Sequence, residues 1–150
     1  MGSREPLVIA GNYLQIAIPC MGFAVSIFRR DREGFGQFTG ALILMVIVVQ
    51  GIKFFTGDWA IGVRPYGGTK SFPSGHAAAS FQGAFFLYRR YGWRWGAPMV
   101  VLAALTAYSR IYGQYHHWRD VIVGFSIAFL IDRLFVFPPA KGISKGTPSP

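Results

Sequence analysis

Cysteine, acidic side chains and charge of any kind are scarce in this chain of 150 residues. The single cysteine, Cys20, excludes a disulfide-stapled secreted domain. Asp and Glu together number 6, and charged residues make up 14% of the chain. An ordinary soluble domain carries about 25%. A disordered chain held open by polarity and charge is therefore excluded. Apolar residues are abundant instead: 52% hydrophobic, 17% aromatic, mean hydropathy +0.35. The length suits one domain. The formal net charge of +9 would suit nucleic acid. The basic residues alternate with long apolar runs, however, so membrane lipids are the expected partner and nucleic acid is not.

Uncharged stretches carry this reading. Residues 6–28 hold 23 positions without Lys, Arg, Asp or Glu, residues 34–52 hold 19, and residues 71–88 hold 18. Residues 95–109 hold 15 and residues 121–131 hold 11. A helix needs about 20 mostly apolar residues to cross a bilayer. The expected fold is all-α, a polytopic transmembrane helical bundle of about five spans at 7–28, 37–55, 75–91, 95–112 and 118–137. A signal peptide is the alternative for residues 1–28. Its cationic part would be Arg4 alone, offset by Glu5, and the apolar stretch is longer than a signal's, so a retained span is expected. Residues 1–137 read as one domain, and the Pro-, Gly-, Ser- and Lys-rich 138–150 as a short disordered tail.

Five spans sort the basic residues by side. Arg4, Lys53, Arg64, Lys70, Arg110 and Arg119 fall on one face. Arg29, Arg30, Arg32, Arg89, Arg90, Arg94, Arg133, Lys141 and Lys145 fall on the other. The positive-inside rule makes the second face cytoplasmic. The C-terminus is then cytoplasmic, and the 2–3 and 4–5 loops are outside or periplasmic. Trp59, Trp93, Trp95 and Trp118 all lie near span ends, as an interfacial aromatic belt requires.

The chemically capable residues gather on the outer face. His116 and Asp120 are four apart, so on a helix they share a face. A carboxylate on one imidazole nitrogen fixes the tautomer and leaves the other as base or nucleophile. Pro73-Ser74-Gly75 opens a helix, with proline favoured in the first turn. Such an N-terminus offers free N–H groups and a positive dipole end to an anion, and Gly75 allows close approach. Arg64 and Arg110 can each clamp a phosphate with two parallel bonds. His76, one step into the same helix, is placed to donate a proton. Phosphate monoester hydrolysis needs accelerations up to about 10²¹-fold, and a general acid supplies only about 10²–10⁴ of that. Several fixed cations around an oriented histidine fit the requirement better than a lone acid–base pair.

These residues resemble the type 2 phosphatidic acid phosphatase superfamily, which includes bacterial class A acid phosphatases and vanadium haloperoxidases. Its Pro-Ser-Gly-His motif is matched by Pro73, Ser74, Gly75 and His76. Its Ser-Arg, five residues, His, three residues, Asp motif is matched by Ser109, Arg110, His116 and Asp120. Its first motif, Lys, six residues, Arg-Pro, is matched in part: Arg64-Pro65 is present, but Gly57 stands at the lysine position. Lys53, ten residues before Arg64, is the expected substitute through a loop insertion, and Lys70 is its rival. The resemblance covers roughly 37–137. It implies that His116 attacks phosphorus and forms a phosphohistidine, that Asp120 orients it, and that His76 protonates the leaving oxygen. Lys53, Arg64, Ser74, the Gly75 N–H and Arg110 would hold the phosphate. No metal and no cofactor are implied.

Other readings compete residue by residue. His76, His116 and Asp120 could bind zinc, but a convincing third neutral ligand is missing and the arginines repel a cation. Gly68-Thr69-Lys70-Ser71 looks like a nucleotide loop but lacks its Gly-Lys pair. Arg64 and Arg110 could be interfacial anchors, and His117 reads as a polar residue at a span end. Cys20 reads as packing and Asp132-Arg133 as an internal pair. Asn12 and Gln15 could line a groove, but interhelical hydrogen bonding is expected. The functional expectation is an integral-membrane lipid phosphate phosphatase, placed in a bacterial inner membrane with its site on the periplasmic face. Isoprenyl diphosphate, phosphatidylglycerol phosphate, phosphatidic acid and lipid A phosphate are all open as substrates. A lipid phosphotransferase and a non-catalytic lipid-phosphate binder or transporter are the alternatives.

Overall fold

The computed structural model of the protein describes residues 5–139. Five helices follow one another: α1 (Glu5–Phe28), α2 (Arg32–Thr56), α3 (Gly75–Tyr91), α4 (Trp93–Tyr112) and α5 (Trp118–Phe135). A 3₁₀ turn at Ala60–Gly62 interrupts the α2–α3 loop, and the described residues contain no strand. The fold is thus all-helical, with helices where the five spans were expected. Most of the tail at 138–150 lies outside the described residues, as do Arg4, Lys141 and Lys145.

Helix ends follow local chemistry. Asp31 caps α2 by accepting the Gly34 N–H at 2.9 Å. Ser74 caps α3, its Oγ 3.4 Å from the Ala77 N–H. Pro73 therefore stands ahead of the cap rather than in the first turn, and the Phe72–Pro73 bond is cis. Gly92, at φ +92°, ends α3 and starts α4, a backbone conformation suited to glycine.

The central element is α3, which packs against all four other helices. Its inward positions are small: Ala77, Ala78, Ser80 and Ala84 are fully buried. Glycines bring the neighbours close. A Cβ at Gly83 would stand 2.9 Å from Pro19 N of α1, and one at Gly96 of α4 would strike Tyr88 of α3. Phe38 and Phe86 stack at 4.2 Å in the larger apolar cluster between α2 and α3. Many of the larger apolar side chains point outward, among them Ile16, Ile43, Ile47, Val101, Leu130 and Leu134. Two helices, Pro6–Phe28 and Arg32–Thr56, are long and apolar enough to cross a membrane by length and composition. The other three fall short because α3 has 17 residues, α4 carries Arg94 and Arg110, and α5 carries Arg119, Asp120, Asp132 and Arg133.

Two minor expectations are corrected. Cys20 is exposed on the outer side of α1 rather than packed. Asp132 and Arg133 do not pair: Asp132 points inward and is buried, whereas Arg133 extends outward over the Phe129 ring at 5.1 Å.

At the end of the bundle holding the α1–α2 turn, Arg90 is buried in a clasp. Its Nε and Nη2 each donate to Asp31 at 2.7 Å, and Nη1 donates to the Phe137 carbonyl at 2.6 Å. Tyr91 Oη donates to the same carboxylate at 3.0 Å. The hydrogen bonds from Arg90, above all, hold the Asp31 carboxyl below its ordinary 3.8, at about 2. Breaking a buried pair by removing one partner strands the other charge. Arg90→Leu should therefore cost about 3 kcal/mol, read as a lower thermal midpoint in detergent. Because the folded carboxyl is held low, its contribution is complete above about pH 4 and fades as the pH falls through about 2. Arg90→Leu should remove that pH dependence, and an unchanged acid profile would refute the assignment.

Candidate functional site

His116 lies in the α4–α5 loop, two residues before α5. The two residues do not share a helix face, yet His116 Nδ1 stands 3.5 Å from Asp120 Oδ2. The α5 cap produces the contact: His117 is the N-cap residue, and its N–H donates to Asp120 Oδ2 at 2.9 Å. His117 is thus the hinge on which the loop delivers His116. Asp120 is fully buried, and Ser71 Oγ donates to the same Oδ2. Ser71 Oγ also lies 3.4 Å from His116 Nδ1. These two oxygens engage Nδ1 and leave Nε2 as the other ring nitrogen, free to act as base or nucleophile in principle.

His116 faces a cavity of about 300 Å³ whose polar end is formed by Lys53, Arg64, Gly75, His76 and His116. The other walls, Gln15, Met45, Val46, Val49, Gln50 and Ala79, continue between α1 and α2. Lys53 Nζ donates to the carbonyls of Lys70 and Ser71 at 2.7 and 3.3 Å. Lysine has three donors, so one remains for an anion. Arg64 Nε donates to the Thr69 carbonyl at 3.1 Å, which leaves its terminal nitrogens available. Lys70, the rival lysine, is exposed and does not line the cavity. The ten residues between Lys53 and Arg64 are accommodated because the chain doubles back: a Cβ at Gly62 would stand 2.5 Å from the Gly57 carbonyl.

The remaining expected residues sit one layer behind. Ser74 is fully buried as the α3 cap, and its N–H donates to the Asp120 carbonyl at 2.9 Å. Gly124 of α5 permits this approach, since a Cβ there would stand 2.6 Å from the Ser74 carbonyl. Arg110 is buried and turned toward α1. Its Nη1 donates to Asn12 Oδ1 at 2.8 Å, Nη2 to the Val8 carbonyl at 2.6 Å, and Nε to Ser109 Oγ at 3.0 Å. Ser71 was not singled out from sequence: a small polar residue ahead of Phe72 carries no signal of its role. Asn12 makes the expected interhelical hydrogen bond, to Arg110 of α4, whereas Gln15 lines the cavity, the other reading of that pair. Among the described residues no three His, Cys, Asp or Glu side chains group as metal ligands.

The cavity is a cationic pocket holding an imidazole that is neutral at pH 7. Burial, followed by the positive charge of Lys53, lowers the His116 imidazole from its ordinary 6.5 to about 4, with Asp120 pulling the other way and Arg64 adding to the fall. Proton NMR of the imidazoles should find His116 titrating near pH 4 in the ligand-free protein. Lys53→Met should move that titration toward 6.5, because a lowering charge is removed. Titration at 6.5 in the wild type would overturn this electrostatic picture.

Residues 34–139 match the sequence profile of the PAP2 superfamily. A lipid A 4'-phosphatase of Helicobacter pylori is 34% identical over 126 residues, which are 79% of this chain and 64% of that protein. A lipid A 1-phosphatase of the same species is 29% identical over 132 residues, 85% of this chain and 70% of that one. The crystal structure of Aquifex aeolicus LpxE is similar with a TM-score of 0.60, covering 87% of this chain and 92% of that chain at 22% identity. That last likeness is one of fold. Since the profile spans well over half of its residues, the chain belongs to the PAP2 superfamily.

Proposed function

We propose that this protein is a membrane phosphatase acting on lipid phosphates, with a lipid A phosphomonoester as the first substrate to test. The observation that carries the reading is one cavity bringing His116, oriented from behind by Asp120, together with Lys53, Arg64, His76 and Gly75. The names of the Helicobacter pylori relatives favour lipid A among the open substrates.

In this reaction His116 Nε2 attacks phosphorus as the bond from phosphorus to the leaving oxygen breaks. His76 gives that oxygen a proton, and the lipid alcohol departs. Water then attacks the phosphohistidine and gives a proton to the now neutral His76, the P–N bond breaks, and inorganic phosphate leaves. Lys53, Arg64 and the Gly75 N–H stabilise the charge on the equatorial oxygens. Arg110 joins them by exchanging its α1 partners for phosphate, and Ser74 supports the loop from beneath. Asp120 keeps the imidazole aligned through both steps.

All five helices cross the bilayer in this reading, with the site on the extracytoplasmic face of a bacterial inner membrane and the C-terminus inside. Three of the six outer basic residues, Lys53, Arg64 and Arg110, are engaged in hydrogen bonds at or beside the site. Among the described basic residues of the inner side, Arg90 is the one fully committed, to the Asp31 clasp. Among the described residues the free positive charge is thus more one-sided than the sequence count, which supports this orientation. The outward apolar side chains of α1, α2, α4 and α5 supply most of the surface facing lipid.

The test is phosphate release from lipid A and from short-chain lipid phosphomonoesters, in detergent with EDTA. Wild type should turn over, His116→Ala should lose at least about 10³-fold, and Lys53→Ala should be impaired where Lys70→Ala is not. Equal activity in wild type and His116→Ala would sink the mechanism.

A further inference from the structure

Helix α1 lies ahead of residues 34–139, the part of the chain that the superfamily profile matches, yet it touches two residues of the site. Asn12 Oδ1 lies 2.8 Å from Arg110 Nη1 and 3.2 Å from His76 Nε2. A guanidinium can only donate, so the Asn12 atom facing it is the carbonyl oxygen. An oxygen that accepts there cannot donate to the imidazole, so His76 Nε2 must carry the hydrogen. One amide oxygen thus uses both lone pairs on two site residues and fixes the tautomer of His76. Nδ1, which has no protein partner among the described residues, is left to exchange the proton. The seat is closely fitted: a Cβ at Gly11 would strike Ser109 Oγ and stand 2.7 Å from Arg110 Nη2, and the Val8 carbonyl takes a further Arg110 hydrogen.

We propose that Asn12 is a positioning residue of the site: its amide oxygen orients His76 for proton transfer at Nδ1 and holds Arg110 beside the cavity until phosphate arrives. The inference rests on the phosphatase reading above. As the imidazolium, His76 keeps its Nε2–H on Asn12 and gives its Nδ1 proton to the leaving oxygen. The neutral ring that results is again the Nε2–H tautomer.

The experiment compares two substrates. A short-chain alkyl phosphomonoester needs a proton on its leaving oxygen. The leaving group of 4-nitrophenyl phosphate departs as its anion and needs none. Asn12→Leu, at an exposed position of α1, should lower kcat for the alkyl ester by about tenfold or more while leaving the aryl ester within about threefold. Asn12→Asp keeps an acceptor oxygen toward both partners, so kcat for the alkyl ester should return to within about threefold of wild type. Its charge-assisted bonds should hold Arg110 on α1, so KM should rise for both substrates. Asn12→Ala replaces the leucine variant should that one fail to fold. Equal losses on the two substrates, no loss on either, or Asn12→Asp as impaired in kcat as Asn12→Leu would overturn the role of Asn12 while leaving the phosphatase reading intact. A wild type inert toward both esters and toward lipid A would overturn that reading, and this inference with it.

Discussion

A carboxylate with no exposed surface must be surrounded by donors, because an unpaired buried charge costs far more than a fold can supply. Asp120 is that carboxylate. Its Oδ2 takes three contacts, from Ser71 of the α2–α3 loop, the His117 backbone of the α4–α5 loop and His116 on the cavity side, while Oδ1 accepts no hydrogen bond among the described residues and has Arg119 Nε at 3.6 Å. Its own carbonyl receives the Ser74 N–H at the start of α3. Three chain segments, the α2–α3 loop, the start of α3 and the α4–α5 loop, thus converge on one residue in the first turn of α5, where the helix dipole also favours negative charge. The same set of bonds that makes the burial tolerable points the imidazole at the cavity, so fold and site share one constraint.

Bundle packing serves that constraint. Small residues and glycines on α3, α4 and α5 let the backbones approach closely, and bulk is left to the outside. The Asp31–Arg90 clasp closes the opposite end, joining the α1–α2 turn to the end of α3 and to the segment after α5. Polar anchoring at both ends and small-residue contact between them hold α3 in register. Gly75 and His76 are at its first turn.

Much of this was legible in the sequence, for identifiable reasons. Helix boundaries could be read because Arg29-Arg30-Asp31 and Arg89-Arg90 punctuate the apolar runs. The pairing of His116 with Asp120 could be read from spacing, although for the wrong reason: a loop and a cap, not a shared helix face, bring them together. Lys53 could not be chosen over Lys70 from distance along the chain, since the doubling back of Gly57 and Gly62 is a backbone event. The turn of Arg110 toward α1 depends on Val8 and Asn12, about a hundred positions away, and no local pattern announces so distant a partner. Cys20 and Asp132 were misjudged because an apolar run does not say which of its sides faces the bundle.

The cavity continues from Lys53 past Val49 and Gln50 to Met45 and Val46 along α2, about 12 Å at the rise of a helix. Val46 and Gln50 at its edge are exposed, so it opens sideways between α1 and α2. In the membrane placement proposed above, a substrate entering by that side would come from within the bilayer plane rather than as a monomer from water. The concentration such a site experiences is then a mole fraction of the surrounding lipid. Saturation would follow the composition of the leaflet, and diluting the membrane with inert lipid would slow turnover at constant total substrate.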